Sequence, residues 1–181
     1  MSNAVTNILT INGTENQVAK VREFIKGSNG ESISFPSFLP IPEGLNDDID
    51  RMMWKFMHWG TELDAEPVCD EAVDAPNRII FNTKNSAPIM AMRALSSKFP
   101  NVTLNFIFSD EYPGLLAGEY TLAGGTITKK VLYDVWGEGT DDLSEDQVME
   151  YYFRTHEYDR ENWKKDEDGE WVNIDDNDKE A

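Results

Sequence analysis

The sequence predicts an α+β fold in which an antiparallel sheet carries two helices on one face, a split β-α-β sandwich. Three observations favour this fold. A strand, a helix and a second strand follow one another at the start of the chain, and the same order recurs after residue 77. The helical segments show apolar residues at helical spacing, whereas the strand segments are short and rich in β-branched residues. The chain of 181 residues suits one domain with an appendage.

The first β-α-β unit opens the chain. Val5–Ile11 is rich in β-branched and aliphatic residues, which favour a strand. Thr14 and Gln17 have the spacing of a capping box, in which each side chain bonds the backbone of the other residue, so a helix is predicted to begin there. After that helix, Ser32–Phe35 is predicted to form the second strand of the unit.

The second unit repeats this order. Arg78–Thr83 is predicted to form a strand, Ser86 to cap the next helix, and Val102–Phe108 to form an alternating strand. The helix between these strands has apolar residues along one face: Ile89, Met92, Leu95 and Phe99. Two such units in tandem are typical of the ferredoxin-like sandwich. The alternative is a parallel sheet built from two unrelated β-α-β pieces.

An insertion at about residues 36–77 separates the two units, and it contains a third helical pattern that ends at Gly60. Its apolar residues recur at the spacing of one helix face: Ile49, Met52, Met53, Phe56 and Trp59. We expect this stripe to pack against the sheet as part of the core. After the second unit, Leu115–Ala123 and Thr126–Val135 flank Gly124-Gly125, which predicts a hairpin that extends the sheet.

Charge divides the chain unevenly. The net charge is −18, and residues 134–181 hold 18 acidic and 5 basic residues, a net of −13 in about a quarter of the length. Such a charge opposes binding to bare nucleic acid and to anionic membranes. We therefore expect no direct nucleic-acid or membrane partner. No run approaches the ~18 apolar residues of a membrane span, and the N-terminus lacks a basic-then-apolar signal pattern, so we expect a cytoplasmic location.

The acidic segment nevertheless has signals of folded structure. Ser144 and Gln147 form a second capping box, and Trp163 and Trp171 flank a possible turn at Asp168-Gly169. We therefore divide the chain into a domain at 4–140, a docked helix with an aromatic-containing segment at 141–174, and a disordered tail at 175–181. Removal of residues 141–181 is expected to leave a folded domain.

Short motifs along the chain occur in a characteristic order. They are Phe35, Pro40, Pro42, Trp59-Gly60-Thr61, Phe81, Thr83, Pro88 and Glu111–Gly118. In this order they resemble the YubB-type ferredoxin-like domain, found in small proteins carried by conjugative plasmids and phages. The resemblance covers about residues 4–135 and leaves the acidic segment outside it.

The resemblance implies a ferredoxin-like fold and a mobile-element origin, and it implies no established activity or cofactor. The chain departs from the family pattern at two places. Glu62-Leu63 stands where the family usually has Lys-Trp, and Thr83–Pro88 lacks the aromatic residue that the family tends to have there. If those aromatic residues form a ligand surface in relatives, that surface is altered here.

Six residues form the predicted interaction surface, in two groups. The first group is Trp59, Thr61 and Asp64, which lie in or beside the Trp-Gly-Thr motif. The second group consists of aromatic residues of the acidic segment that could anchor a partner: Tyr152, Trp163 and Trp171. A structural alternative stays open for the first group, in which Gly60 ends a helix and Trp59 packs beneath it.

No catalytic or metal-binding motif is present, and we expect no cofactor and no metal. The two histidines, His58 and His156, lack supporting motifs, and Cys69 is the single cysteine. One acidic run could supply oxygens to Ca²⁺ but lacks the EF-hand spacing, so it is interpreted as a solvated loop: Glu62, Asp64, Glu66, Asp70, Glu71 and Asp74.

Three functions remain possible. The first is a non-enzymatic accessory or regulatory protein of a phage, prophage or conjugative plasmid that acts through protein contacts. The second is a DNA mimic that inhibits a host defence or recombination protein, and the third is an enzyme that uses paired carboxylates. Because the chain is acidic, the expected protein partner carries a basic surface. The sequence indicates no particular oligomeric state.

Overall fold

The computed structural model describes residues 3–68, 75–137 and 140–174. The described α-helices are α1 (Glu15–Ile25), α2 (Phe35–Phe38), α3 (Asp48–His58), α4 (Ile89–Lys98) and α5 (Glu145–Thr155), followed by a 3₁₀ helix, Glu157–Asn162. The described strands are β1 (Ala4–Asn12), β2 (Glu66–Pro67), β3 (Arg78–Lys84), β4 (Thr103–Asp110), β5 (Leu116–Ala123), β6 (Thr126–Asp134), β7 (Trp163–Lys165) and β8 (Trp171–Asn173).

Six of these strands form one sheet in the order β2-β3-β1-β4-β5-β6, and β7 with β8 forms a separate hairpin. Each neighbouring pair in the sheet is antiparallel. The protein is therefore an α+β fold, and the alternative of a parallel sheet is wrong. β1 lies between β3 and β4, and α4 connects these two strands across it.

The predicted strand at Ser32–Phe35 is wrong. Phe35–Phe38 forms a short helical turn instead, and the two residues of β2 take the edge of the sheet beside β3. Pro36 explains the difference, because proline suits the first turn of a helix but has no N–H to donate to a strand ladder. Asp64 also fixes the turn, since its carboxylate accepts hydrogen bonds from the Ser34 hydroxyl and the Phe35 N–H.

The first face of the sheet is covered by α1 and α4, as the sequence predicts. Alternate residues of the strands point to this face and are buried: Val5, Leu9, Ile11, Ile79, Phe81, Leu104, Phe106, Phe108 and Leu122. The helices contribute Val18, Val21, Ile25, Ala91, Met92 and Leu95 to the same core. This alternation is what a half-buried strand requires, since successive side chains point to opposite faces.

The second face of the sheet is covered by α5. Ile8 and Ile80 alternate along β1 and β3 with the residues of the first core, so their side chains point to the second face, and both are buried. Four side chains of α5 are buried here or beneath the β7–β8 hairpin: Val148, Met149, Tyr152 and Phe153. The acidic segment is thus docked on the sheet, and it makes the protein a three-layered structure.

Hydrogen bonds fix the end of α5 to the central strands. His156 follows the helix and is buried, with Nε2 3.1 Å from the Thr6 hydroxyl of β1 and Nδ1 3.3 Å from the Ser109 hydroxyl of β4. The Thr155 hydroxyl is also hydrogen-bonded to that of Ser109. A buried polar network of this kind is stable only when its members are paired, so it specifies one position for α5.

Several local predictions are confirmed. Both capping boxes form, at the starts of α1 and α5, with the predicted side-chain and backbone bonds. Gly124 and Gly125 both have positive φ angles, 57° and 79°, as a two-residue turn between β5 and β6 requires. The predicted cap at Ser86 is wrong, because α4 begins after Pro88 without a side-chain cap, and the Ser86 hydroxyl instead donates to the Gly60 carbonyl.

The packing of α5 changes the expected result of a truncation. Ending the chain at residue 140 removes α5 from the second face of the sheet, where it packs on β1, β4 and β5, and leaves Thr6 and Ser109 without His156. We expect the shortened protein to lose about 5 kcal/mol or more of stability, which is comparable with the total stability of a domain. Urea unfolding followed by circular dichroism measures this loss.

The control for this truncation is a chain that ends after Ile174, which lacks only the tail predicted at 175–181. That tail lies outside the described residues. The control is expected to unfold at the same urea concentration as the full chain. A chain ending at residue 140 that unfolds as cooperatively and as late as the full chain would contradict a structural role for α5.

Candidate functional site

Trp59 joins α3 to the core rather than forming part of the surface. Its side chain is 1% exposed, and its indole Nε1 donates to the Leu39 carbonyl at 2.9 Å. The Trp59 carbonyl accepts the N–H of Ala91 in the first turn of α4, at 3.1 Å. Trp59 therefore supplies one of the acceptors that a helix N-terminus needs.

The residues after Trp59 complete the junction of α3 with the start of α4 and the end of β3, which we call the corner. Gly60 has a φ of +86°, and a Cβ there would lie 3.3 Å from both the Ala87 carbonyl oxygen and the Ile89 nitrogen. Thr61 is fully buried, and its hydroxyl donates to the Lys84 carbonyl at 3.1 Å. The Trp-Gly-Thr motif thus joins α3 to the start of α4 and the end of β3.

The predicted surface residues occupy three environments. Trp59, Thr61 and Tyr152 are buried, and Asp64 is half-buried with its carboxylate bonded to backbone and hydroxyl donors of the α2 turn. The two tryptophans of the hairpin are half-buried against α5: Trp163 lies 5.7 Å from Tyr152 and Trp171 lies 5.2 Å from Phe153, ring centre to ring centre. The structure brings the first group together at one corner and the second group around α5.

Four residues of the predicted α3 stripe are exposed, so the prediction that the stripe packs in the core is wrong for them and holds only for Trp59, which is buried. The exposed fractions of the apolar side chains on this side of the helix are 66% for Ile49, 39% for Met52, 52% for Met53 and 41% for Phe56, and the neighbouring Met57 is 64% exposed. No residue of this helix is buried. We call these five side chains the α3 face.

Two features of the structure explain this exposure. α1 and α4 already fill the first face of the sheet, so α3 cannot reach it. α3 is held instead by its opposite side, where Trp54 packs against the core and stacks on His58 with ring centres 4.2 Å apart. Trp54 on the rear of the helix and Trp59 at its end therefore hold α3 with its longer apolar stripe facing outward.

A cavity of about 390 Å³ lies at the end of the sheet, beside the start of α4. Apolar side chains and two carboxylates share its lining: Phe108, Leu116, Tyr120, Leu132, Asp110 and Asp134. Ser109 of β4 pairs with Ala117 of β5, which places the next residue of β4, Asp110, opposite Leu116. Leu116 in turn pairs with Asp134 of β6, so the three residues form one row across β4, β5 and β6. Two strand spacings separate the two aspartates, about 10 Å between Cα atoms.

Asp110 is 4% exposed, and hydrogen bonds hold its carboxylate. Its carboxylate accepts the Tyr112 N–H at 2.8 Å, and the Asn3 side-chain nitrogen lies 3.2 Å from both of its oxygens. Burial raises the pKa of Asp110 above its ordinary value, and this effect exceeds the lowering by these hydrogen bonds and by His156. Burial also raises the pKa of Tyr120.

Sequence reasoning missed Asp110, although one signal could have found it. The buried residues of β4 alternate as Leu104, Phe106 and Phe108, and Asp110 continues the same parity. A carboxylate at a position where the pattern requires an apolar residue is costly unless it serves a purpose. His156 was also missed, because its partners Thr6 and Ser109 are distant in sequence.

The cavity offers no ready machinery for catalysis among its described lining residues. No Lys, Arg, His or Cys lines it. The Ser86 hydroxyl is engaged with the Gly60 carbonyl at 2.7 Å. A nucleophile would need an adjacent base within hydrogen-bonding distance.

Metal ligands and membrane spans are both lacking in residues 3–68, 75–137 and 140–174. This part of the chain holds no group of three or more His, Cys, Asp or Glu side chains arranged for a metal ion. It also contains no helix that is long and apolar enough to cross a membrane. Part of the acidic run considered for Ca²⁺ lies outside the described residues, namely Asp70, Glu71 and Asp74, as does Cys69.

Comparison of the chain with protein-family models, with curated proteins and with solved structures found no match.

Replacement of Gly60 by Ala tests the corner. The left-handed backbone costs a residue with a Cβ about 1–2 kcal/mol, and the new Cβ would crowd the Ala87 carbonyl as well. We expect a fall in melting temperature of about 2–8 °C, measured by thermal unfolding.

Two other glycines separate these causes. Gly30 has a φ of +95° with open space around it, so Gly30→Ala should show the backbone cost alone. Gly44 has open space and no positive φ, so Gly44→Ala should change the melting temperature least. Equal effects at Gly60 and Gly44 would show that the corner tolerates a side chain.

The buried carboxylate of Asp110 predicts a pH dependence of stability. Because its pKa is raised in the folded protein, protonation favours the fold; the stabilisation is full below the unfolded pKa of about 3.9 and is lost as pH rises through the folded pKa. The free energy of unfolding of the wild type should therefore fall, relative to Asp110→Asn, as pH rises from about 4 to 7. Urea titrations at several pH values measure this difference.

The control is Glu23→Gln, which removes an exposed carboxylate of α1. This variant has the same change in net charge as Asp110→Asn but leaves the buried carboxylate in place. If the difference between Asp110→Asn and the wild type stays constant from pH 4 to 7, burial does not raise the pKa of Asp110.

Proposed function

We propose that this protein is a non-enzymatic accessory or regulatory protein of a phage, prophage or conjugative plasmid, and that it binds a partner protein through the α3 face. The observation that carries this proposal is the exposure of five large apolar side chains on one side of a short helix. Contiguous exposed apolar side chains with a polar border are typical of protein-binding surfaces. Three of the five are methionines, whose flexible side chains adapt to an apolar partner.

The charges around the α3 face indicate what kind of segment binds there. Asp47, Asp48 and Asp50 surround the start of the helix. The expected partner is therefore an amphipathic helix that places apolar residues on the α3 face and basic residues beside this acidic end. A second copy of the chain is less suited, because two chains with a net charge of −18 repel each other.

The strand order supports the ferredoxin-like assignment within this proposal. In the split β-α-β sandwich, the first strand lies between the third and the fourth. β1 lies between β3 and β4 here, and β2, although only two residues long, holds the remaining edge. The β5–β6 hairpin is then an addition to that sheet, and the mobile-element origin rests on the order of the sequence motifs.

The two other functions have less support. A DNA mimic needs a row of free carboxylates, yet among the 34 acidic residues at least these six accept backbone N–H groups: Asp47, Asp64, Asp110, Asp134, Asp141 and Asp166. An enzyme would need a reactive group in the cavity, whose described lining holds two aspartates but no Lys, His or Cys. A protein contact through the α3 face requires neither a row of free carboxylates nor a reactive group in the cavity.

A synthetic amphipathic helix built from Leu and Lys tests the proposal. Titration of this labelled peptide by fluorescence anisotropy should give saturable binding that persists at high salt, because apolar contact is not screened. Met53→Glu and Met57→Glu place a charge in the contact and should each weaken binding by about 10-fold or more.

Two controls make the result specific. Val135→Glu introduces the same charge at another apolar residue, 44% exposed and outside α3, and should leave the affinity nearly unchanged. The same peptide with Glu in place of Lys should bind more weakly than the Lys peptide. The proposal is overturned if the wild type and both α3 variants bind the Lys peptide equally, or if Val135→Glu weakens binding as much as they do.

A further inference from the structure

The cavity beside α4 combines an apolar floor with acidic walls. Phe108, Leu116 and Leu132 form apolar lining, while Asp110 and Asp134 lie in one row of the sheet with Leu116 between them. Trp136 stands at its edge with 87% of its side chain exposed. The α3 face does not line this cavity, so a ligand bound in the cavity would be additional to the proposed function and independent of it.

Asp110 is a buried carboxylate that forms no salt bridge among the described residues, and His156 acts on it only from the opposite face of the sheet. Its hydrogen-bond partners are the Tyr112 N–H and the Asn3 amide, which are neutral donors, and the described salt bridges do not include it. His156 lies on the other face of the sheet, bonded to Thr6 and Ser109. Proteins rarely bury a carboxylate without a compensating positive charge. Asp110 therefore leaves a place in the cavity where a cation would be stabilised.

The geometry favours an organic cation over a metal ion. A metal ion gathers several oxygen ligands at about 2–2.6 Å. Asp110 and Asp134 supply only two carboxylates, and the described residues hold no group of three or more His, Cys, Asp or Glu side chains arranged for a metal ion. An ion would also leave the apolar floor uncovered, whereas an alkyl chain would cover Leu116 and Leu132.

An ammonium group suits Asp110 better than a guanidinium group. A guanidinium binds a carboxylate best with two parallel bonds, one to each oxygen. At Asp110 one oxygen, Oδ1, already accepts the Tyr112 N–H at 2.8 Å, whereas Oδ2 has only the 3.2 Å contact of the Asn3 side-chain nitrogen, which is shared with Oδ1, so Oδ2 has room for a single strong bond. An ammonium is a compact point charge that forms such a bond, and its flexible stem can follow the cavity.

We propose that this cavity binds a primary alkylammonium group, with the nitrogen at Asp110, the alkyl stem over the apolar floor, and Asp134 and the Trp136 indole at the mouth. The indole face adds attraction for a cation at the rim. A cavity of about 390 Å³ has room for a chain of this size. The group can come from a free aliphatic diamine or from a lysine side chain of another protein.

Calorimetric titration of the full chain with two probes tests the proposal and separates the sources. Cadaverine represents the free diamine, and Nα-acetyl-lysine amide represents the side chain. Saturable binding of either probe is expected, and the tighter one identifies the source. Asp110→Asn removes the charge-assisted hydrogen bond and should weaken binding by about 10- to 100-fold.

Further variants keep the test decisive if Asp110→Asn folds poorly. Trp136→Ala changes an exposed side chain at the rim and should weaken binding by about fivefold. Glu23→Gln makes the same change in net charge on α1 and should alter the affinity by less than about twofold, since an exposed distant charge is screened by salt.

Three results would overturn the proposal. The first is that neither amine binds with saturation. The second is that Glu23→Gln and Asp110→Asn weaken binding equally, which would show attraction to the net charge alone. The third is that Mg²⁺ or the neutral analogue pentanol binds as tightly as cadaverine, because a site for an alkylammonium needs both the charge and the stem.

Discussion

Burial of β1 and β4 on both of their faces is the constraint on which the rest of this structure depends. One face of these strands meets the core beneath α1 and α4, and the other lies under α5. A sheet with apolar residues on both faces is stable only when both are covered. The acidic segment supplies the second cover, so its charge lies on the outer side of a helix whose inner side is apolar.

The same constraint accounts for the exposure of α3. Once α1 and α4 occupy the first face and α5 the second, the inserted helix has no sheet surface left to cover. It attaches through Trp54 on its rear, while Trp59 joins its end to α4. Because α3 is held by its smaller apolar side, at Trp54, its larger apolar side, the α3 face, is exposed to solvent. This exposed apolar surface is the physical basis of the proposed protein contact.

The cavity also follows from the architecture. The strands β4 and β6 extend to Asp110 and Asp134, beside the first residues of α4. The apolar row of β4 therefore ends in a carboxylate at the wall of a cavity rather than beneath a helix. The same residue shares neutral hydrogen bonds with Asn3 and Tyr112, which fix its orientation without neutralising its charge.

The sequence by itself determined the local elements of this protein. Capping boxes at Thr14 and Ser144, the Gly124-Gly125 turn and the alternation in β4 predicted correct elements because each depends on residues close in the chain. Only the tertiary structure decided which segment forms the edge strand, which side of α3 faces inward, and that Asp110 borders a cavity. These outcomes depend on competition between distant segments for a limited area of sheet, and local propensity contains no information about that competition.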